Sequence, residues 1–226
     1  ILGGKRMVPR GVASILGHDC FNDPSAARQV IYCGDWWRTQ FFMNLTIANL
    51  LGEALCGTKR VQHLAEVLQV NLNWKINEIS DGQRRRCQLL EILAAPRPVY
   101  LMDEITSDLD LFAREGILNF LRAESEIRGA TVFYCTHIFD HLEGWASHFL
   151  HLSQGEVVRV APVGEVQEYS QLLADGHLTP LYELVRRWIY AEYQESSAKP
   201  WRKIDSNLDG RVPNLGLAGP FQMTSA

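Results

Sequence analysis

No apolar run in this 226-residue chain approaches the roughly 20 residues a helix needs to cross a bilayer. Lys5, Arg6 and Arg10 near its start are not followed by an apolar stretch long enough to direct secretion. The five cysteines, Cys20, Cys33, Cys56, Cys87 and Cys135, include no CxxC pair, which excludes a zinc knuckle and a disulfide framework and fits a reducing cytoplasmic or nuclear compartment. An excess of basic charge is also missing. With a net charge of -4, the chain is not a protein that works by gripping nucleic acid through an overall basic surface. There are no internal repeats.

What remains is ordinary globular composition, 46% hydrophobic and 21% charged. The expectation is one domain over residues 1–196, followed by a poorly ordered tail at 197–226, where Pro, Gly, Ser and Asn take over. Extended pieces are expected at 12–16 and 29–33, separated by a turn at Asn22-Asp23-Pro24-Ser25. Residues 46–95 read as a helical region: apolar residues from Ile47 to Leu68 recur at helical spacing with a break at 56–58, and a further helix starts after Ser80-Asp81-Gly82. Val99-Tyr100-Leu101-Met102 reads as a strand buried on both faces, 111–127 as a helix, 131–135 as another buried strand and 149–160 as a hairpin turning at Gln154-Gly155. Leu181–Tyr193 is expected to be an amphipathic helix with Leu184, Val185, Trp188 and Ile189 on one side. Strands alternating with helices make the fold class α/β.

The chemistry concentrates where the first buried strand ends. Four apolar residues followed by Asp103-Glu104 put two carboxylates at the lip of a parallel sheet, where ligands bind in this fold class. Asp103 can hold magnesium, and Glu104 can orient and deprotonate a water that attacks a γ-phosphate. The next strand delivers His137 to the same edge, where it can bond the γ-phosphate or that water. Upstream, Ser80 and Gly82 stand at a helix start, whose free amides and dipole favour an anion. Each feature alone is ordinary: a capped strand end, a strand-end histidine, a plain N-cap. Arg84-Arg85-Arg86 reads as a solvated helix face, His137 and His141 lack the partners of a metal site, and Trp36-Trp37 and Trp188 read as packing aromatics.

Taken together, the motifs resemble a family. Ser80-Asp81-Gly82-Gln83-Arg84-Arg85-Arg86 resembles the signature loop of ABC ATPases, Tyr100-Leu101-Met102-Asp103-Glu104 their Walker B strand, Ser107-Asp108-Leu109-Asp110 their D-loop, and Tyr134-Cys135-Thr136-His137 their switch histidine. The spelling is similar to the soluble plant ABC transporter I family and its fungal relative associated with the carbon catabolite repressor–Not complex. The resemblance runs from Ile1 to about Lys203. It implies a P-loop NTPase-like sheet with a helical signature subdomain, ATP and Mg2+ as ligands, and hydrolysis at the interface of two cassettes arranged head to tail. On that reading Ser80, Gly82 and Gln83 meet the nucleotide of a second ABC domain, Asp110 lines the interface, Glu104 and His137 are catalytic, and Asp103 and Gln40 serve the metal. A transcription or mRNA-decay complex is an implied further partner, and direct nucleic-acid binding is not expected.

Two departures qualify the resemblance. The phosphate-cradling G-x-x-x-x-G-K-[ST] loop occurs nowhere in the sequence, and Lys5, in what looks like the end of the helix that follows that loop, is not its lysine. The expectation is therefore an N-terminally truncated cassette that binds ATP poorly by itself. Second, Gly34-Asp35-Trp36-Trp37-Arg38 stands where the glutamine loop is expected, and Gln40 is the nearest glutamine. Two rivals stay open, a non-catalytic scaffold that keeps the ABC fold and the ATPase subunit of a membrane importer.

Overall fold

The computed structural model describes residues 1–34 and 44–197. Trp36, Trp37, Arg38, Gln40 and the tail expected beyond residue 197 lie outside the described residues. Ile1–Thr136 form one compact unit, and the described chain from His137 onward forms another.

The first unit is built on three parallel strands in the order β3 (Val30–Cys33), β4 (Val99–Asp103), β5 (Thr131–Cys135), preceded by a two-residue antiparallel pair, β1 (Ser14–Ile15) and β2 (His18–Asp19). The register sets Cys33 opposite Met102, and Asp103 opposite Cys135. Pro24 does not end a turn between strands but begins helix α1 (Pro24–Gln29): Asp23 caps it, accepting from the Ser25 N–H at 2.8 Å, and proline at the first position needs no donor. Between β3 and β4 run the short helices α2 (Ile47–Leu51) and α3 (Glu53–Cys56), then α4 (Lys59–Val67) and α5 (Asp81–Leu93). Thr46, Thr58 and Ser80 cap α2, α4 and α5. Residues 46–95 thus contain four helices, three of them capped by a side chain.

Strand β4 is buried for four residues and exposed at Asp103, as its sequence indicates. Strand β5 is not a second buried strand. It alternates between exposed and half-buried residues, and Phe133 is 37% exposed. Among the described strands it lies at the edge of the sheet, so its apolar composition reflects β propensity rather than enclosure on both faces. Helix α6 (Leu111–Arg128) connects β4 to β5 and ends at Gly129, whose φ of +69° closes the helix in the left-handed region. Its Gly116 lies so close to Val67 of α4 that an added Cβ would overlap the valine side chain.

A buried polar network ties these pieces together. Arg60 of α4 donates to Glu124 of α6 at 2.7 and 3.1 Å, to the Leu93 carbonyl at the end of α5 at 2.7 Å and to the Tyr100 hydroxyl of β4 at 3.1 Å. The Tyr100 hydroxyl in turn donates to Glu124 at 2.6 Å. Burial and this bond push the tyrosine pKa up, so it stays a donor. The Arg60 guanidinium also lies 4.8 Å from the centre of the Phe120 ring.

In the second unit, β6 (His148–Ser153) and β7 (Glu156–Pro162) form the expected hairpin, with Gln154 and Gly155 both at positive φ, the turn that matches strand twist. Helices α7 (Gln167–Ala174) and α8 (Pro180–Ser197) follow. The covered face of α8 comprises Leu181, Leu184, Val185 and Trp188, while Ile189, expected on that face, is 58% exposed because it lies one helical step past Trp188. Trp188 stacks on His151 at 4.9 Å and meets Phe149 edge-on at 6.2 Å.

Removing one partner of the α4–α6 ion pair leaves a buried charge unanswered. We therefore expect Glu124→Ala to lower stability by about 3–5 kcal/mol and Tyr100→Phe by about 1–2 kcal/mol, both read from urea unfolding followed by circular dichroism.

Candidate functional site

The site is assembled at the carboxyl end of β4. Asp103 ends the strand and is exposed. Glu104 then turns out of the sheet with φ +50°, a left-handed conformation that costs a non-glycine residue about 1–2 kcal/mol. Both sides of this residue are bonded. Its N–H donates to the Cys135 carbonyl at 3.0 Å, and its carbonyl accepts from the Ser107 hydroxyl at 3.0 Å and from Arg85 at 2.9 Å. The Thr136 hydroxyl donates to the carboxylate at 3.4 Å. Gly34, at the end of β3, faces the same place: a Cβ there would stand 3.0 Å from the Asp103 Cβ and overlap the Tyr32 ring, so the absence of a side chain leaves Asp103 room. Lys5 lies over the other part of that ring, with Nζ 5.7 Å from its centre.

Helix α5 brings the signature turn to this edge. The Gln83 N–H donates to the Ser80 hydroxyl at 3.3 Å, and the Ser80 N–H donates to the Gln83 side chain at 2.9 Å, a complete capping box. Gly82 is different: an added Cβ would meet only the Asp108 carbonyl, at an ordinary 3.9 Å, and its backbone needs no positive φ. Among the described residues no contact explains a glycine in the first turn, where alanine favours the helix by up to about 1 kcal/mol. Asp110 caps α6, accepting from the Ala113 N–H at 2.9 Å, and pairs with Arg86; the cap bond and the arginine hold its carboxyl below the usual carboxylate range.

The three arginines do not form the solvated face expected of them. Arg85 is 7% exposed, and the Arg84 and Arg86 side chains are 17% and 18% exposed. Each reaches back to an acid or carbonyl, Arg84 to Asp81, Arg85 to Glu104 and Asp108, and Arg86 to Asp110. The helical period held the clue, since Arg85 lies four residues before Leu89 and eight before Leu93, both fully buried.

Asp103, Glu104, Ser80, Gly82, Gln83 and Asp110 thus belong to one unit, tied by contacts among α5, the end of β4 and the loop that leads to α6. His137 is exposed and opens the second unit, two residues past Cys135, which pairs with Asp103. Gln40 lies outside the described residues. Desolvation, with the Asp103 and Glu104 charges adding to it, pushes the pKa of Cys135, opposite Asp103 in the register, up and keeps it a thiol. Among the described residues no three His, Cys, Asp or Glu groups converge into a metal cage. Magnesium does not require one: it is held by one or two carboxylates together with phosphate oxygens and water, and exposed Asp103 next to Glu104 suits that chemistry.

The profile of the family described as "AAA domain, putative AbiEii toxin, Type IV TA system" matches residues 66–141. ABC transporter I family member 20 of Arabidopsis thaliana is 36% identical over 86% of this chain, and the match spans 61% of that relative, so the chain corresponds to less than two thirds of its length. Member 21 of the same plant is 36% identical over 85% of this chain and 70% of its own. CCR4-associated factor 16 of Saccharomyces cerevisiae is 38% identical over 51% of this chain and 40% of its own. Among solved structures, an ATP-binding subunit of an ABC transporter superposes with a TM-score of 0.62 over 77% of this chain and 74% of that one, at 21% identity. A dimeric ATP-binding cassette in a post-hydrolysis state, bound to ADP and phosphate, superposes with a TM-score of 0.51 over 66% and 72%, at 22% identity. At these identities the structures establish the fold alone, the α/β fold of ABC ATPase domains with a parallel sheet. No helix among the described residues is long and apolar enough to cross a membrane. From its identity to the plant relatives, this chain belongs to the ABC transporter I family, a family of ABC-type ATPase domains.

Proposed function

We propose that this chain contributes the signature turn and the acidic strand end of a site where ATP is bound and hydrolysed between two ABC cassettes. Gly82 carries the reading: a glycine that the fold does not need, on the first turn of a capped helix, leaves backbone amides open to a phosphate from outside the chain. In the head-to-tail arrangement that the family resemblance implies, the phosphates that meet Ser80, Gly82 and Gln83 are those bound by the opposing cassette. Asp110 lines the same interface. The dimeric, ADP-bound neighbour supports a paired arrangement.

At this chain's own acidic edge, Glu104 accepts the proton of the attacking water, and its left-handed backbone, bonded on both sides, fixes the direction of its carboxylate. Asp103 would hold Mg2+, with Gln40 the nearest candidate for a second ligand, and the ion would supply positive charge against the phosphates. By the resemblance of its segment to the switch histidine, His137 is the residue assigned to bond the γ-phosphate or the water in the working assembly. A CCR4-type complex is a further partner in this reading, on the name of the yeast relative.

Two substitutions test it. In the assembly that supplies the phosphate-binding loop, Glu104→Gln keeps shape and removes the base, so phosphate release should fall by about 10²-fold or more while nucleotide binding survives; unchanged turnover would remove Glu104 from the role of base. Gly82→Ala should leave this chain as stable as before, or more stable by up to about 1 kcal/mol, yet weaken ATP-dependent association measured by analytical ultracentrifugation. Loss of stability with association intact would instead make Gly82 a packing residue.

A further inference from the structure

We propose that Arg85 is the positioning residue for Glu104: from inside the signature helix it holds the carbonyl of the acidic residue and ties the following loop to the same guanidinium. The role as catalytic positioning rests on the ATPase reading above, whereas the contact itself does not.

Arg85 belongs to α5, five residues after the capping serine, yet its side chain is turned inward and 7% exposed. It donates to the Glu104 carbonyl at 2.9 Å, and its Nε stands 3.6 Å from the Asp108 carboxylate, an ion-pair separation. Burying a guanidinium is costly, and here desolvation draws its pKa down to about 10, with the Asp108 charge opposing that shift. It stays protonated near neutrality. The Glu104 carbonyl and the Asp108 carboxylate are what offset that cost.

The geometry indicates what this contact does. Glu104 adopts a conformation that an unconstrained glutamate avoids, and the bonds on its two sides come from different elements: Cys135 of β5 on the N–H, Arg85 of α5 and the Ser107 hydroxyl on the carbonyl. The β5 bond fixes where the residue begins, and the Arg85 bond fixes which way its next peptide faces. Together they set the direction of its Cα–Cβ bond, from which the carboxylate extends to the Thr136 hydroxyl. Arg85 lies two residues past Gln83 and three past Gly82, so any displacement of the signature turn is passed through about one helical turn of backbone to the Glu104 peptide. A planar fork suits the task better than an ammonium, because it can face a carbonyl and a carboxylate at once.

The test reads backbone protection in this chain without nucleotide. Residue-resolved amide hydrogen exchange is compared for the parent, Arg85→Gln and Arg85→Lys, at Glu104 and at Leu101 and Met102 within β4. We expect Arg85→Gln to speed exchange at Glu104 about tenfold or more while Leu101 and Met102 change little, and Arg85→Lys, which keeps the charge and loses the fork, to fall between. Equal acceleration at all three positions, or no change at Glu104 in either variant, overturns the proposal. If Arg85→Gln does not fold, the lysine variant alone decides by the same contrast. In the ATP-hydrolysing assembly, Arg85→Lys should lower kcat several-fold with KM held within about twofold, and a rise in KM at constant kcat would overturn the positioning role. If Glu104→Gln leaves turnover unaffected, it is the ATPase reading that fails, and the exchange experiment still judges the Arg85 contact.

Discussion

A strand enclosed on both faces for four residues and open at the fifth governs the arrangement of the first unit. Val99, Tyr100, Leu101 and Met102 are buried, so β4 lies in the middle of the sheet with β3 and β5 on its two sides, and the chain meets water at Asp103. Charge cannot move inward from that point without a large desolvation cost, and the backbone cannot continue straight without taking Glu104 into the sheet. It turns instead through a left-handed residue. The acidic pair is therefore a consequence of where enclosure stops, and the loop from Ile105 to Asp110 is the route back to the next helix, α6.

Helices α2 and α3 have five and four residues, too short to hold themselves. The longer helices are tied to β4 by the Arg60–Glu124–Tyr100 network, which joins α4, the end of α5, β4 and α6 through one guanidinium and one carboxylate. Its directional bonds also fix register, which apolar packing alone does less sharply. Close contact of Gly116 with Val67 brings α6 and α4 together at a second point. Helix α5 is then held at both ends, by Arg60 on the Leu93 carbonyl and by Arg85 on the Glu104 carbonyl. The signature turn and the acidic strand end become parts of one body.

How much of this was legible in the sequence depends on how local the cause is. The cap at Ser80, the buried run ending in Asp103 and the hairpin turn at Gln154-Gly155 all have causes within a few residues, and each is found where the sequence indicates. Asp23-Pro24 was ambiguous because the same pair that makes a turn also starts a helix. The exposure of β5 and the partners of the three arginines could not be read locally. Thr131-Val132-Phe133-Tyr134-Cys135 has the composition of an enclosed strand, but its exposure is set by its place at the sheet edge. The arginines look solvated until Asp108, Asp110 and the Glu104 carbonyl are brought near by the fold, from 19 to 24 residues away. Arg60 and Glu124 are 64 residues apart, and neither carries a local sign of the other.

The central claim is that the first turn of α5 faces a nucleotide phosphate bound by an opposing cassette. Photolabelling with an ATP analogue reactive at its γ-phosphate, in the presence of magnesium and the cassette that supplies the phosphate-binding loop, tests it most directly. The account predicts that mass spectrometry places the label on this chain between Ser80 and Arg84. Label confined to the hairpin and helices after His148, with none between Ser80 and Asp110, would contradict it.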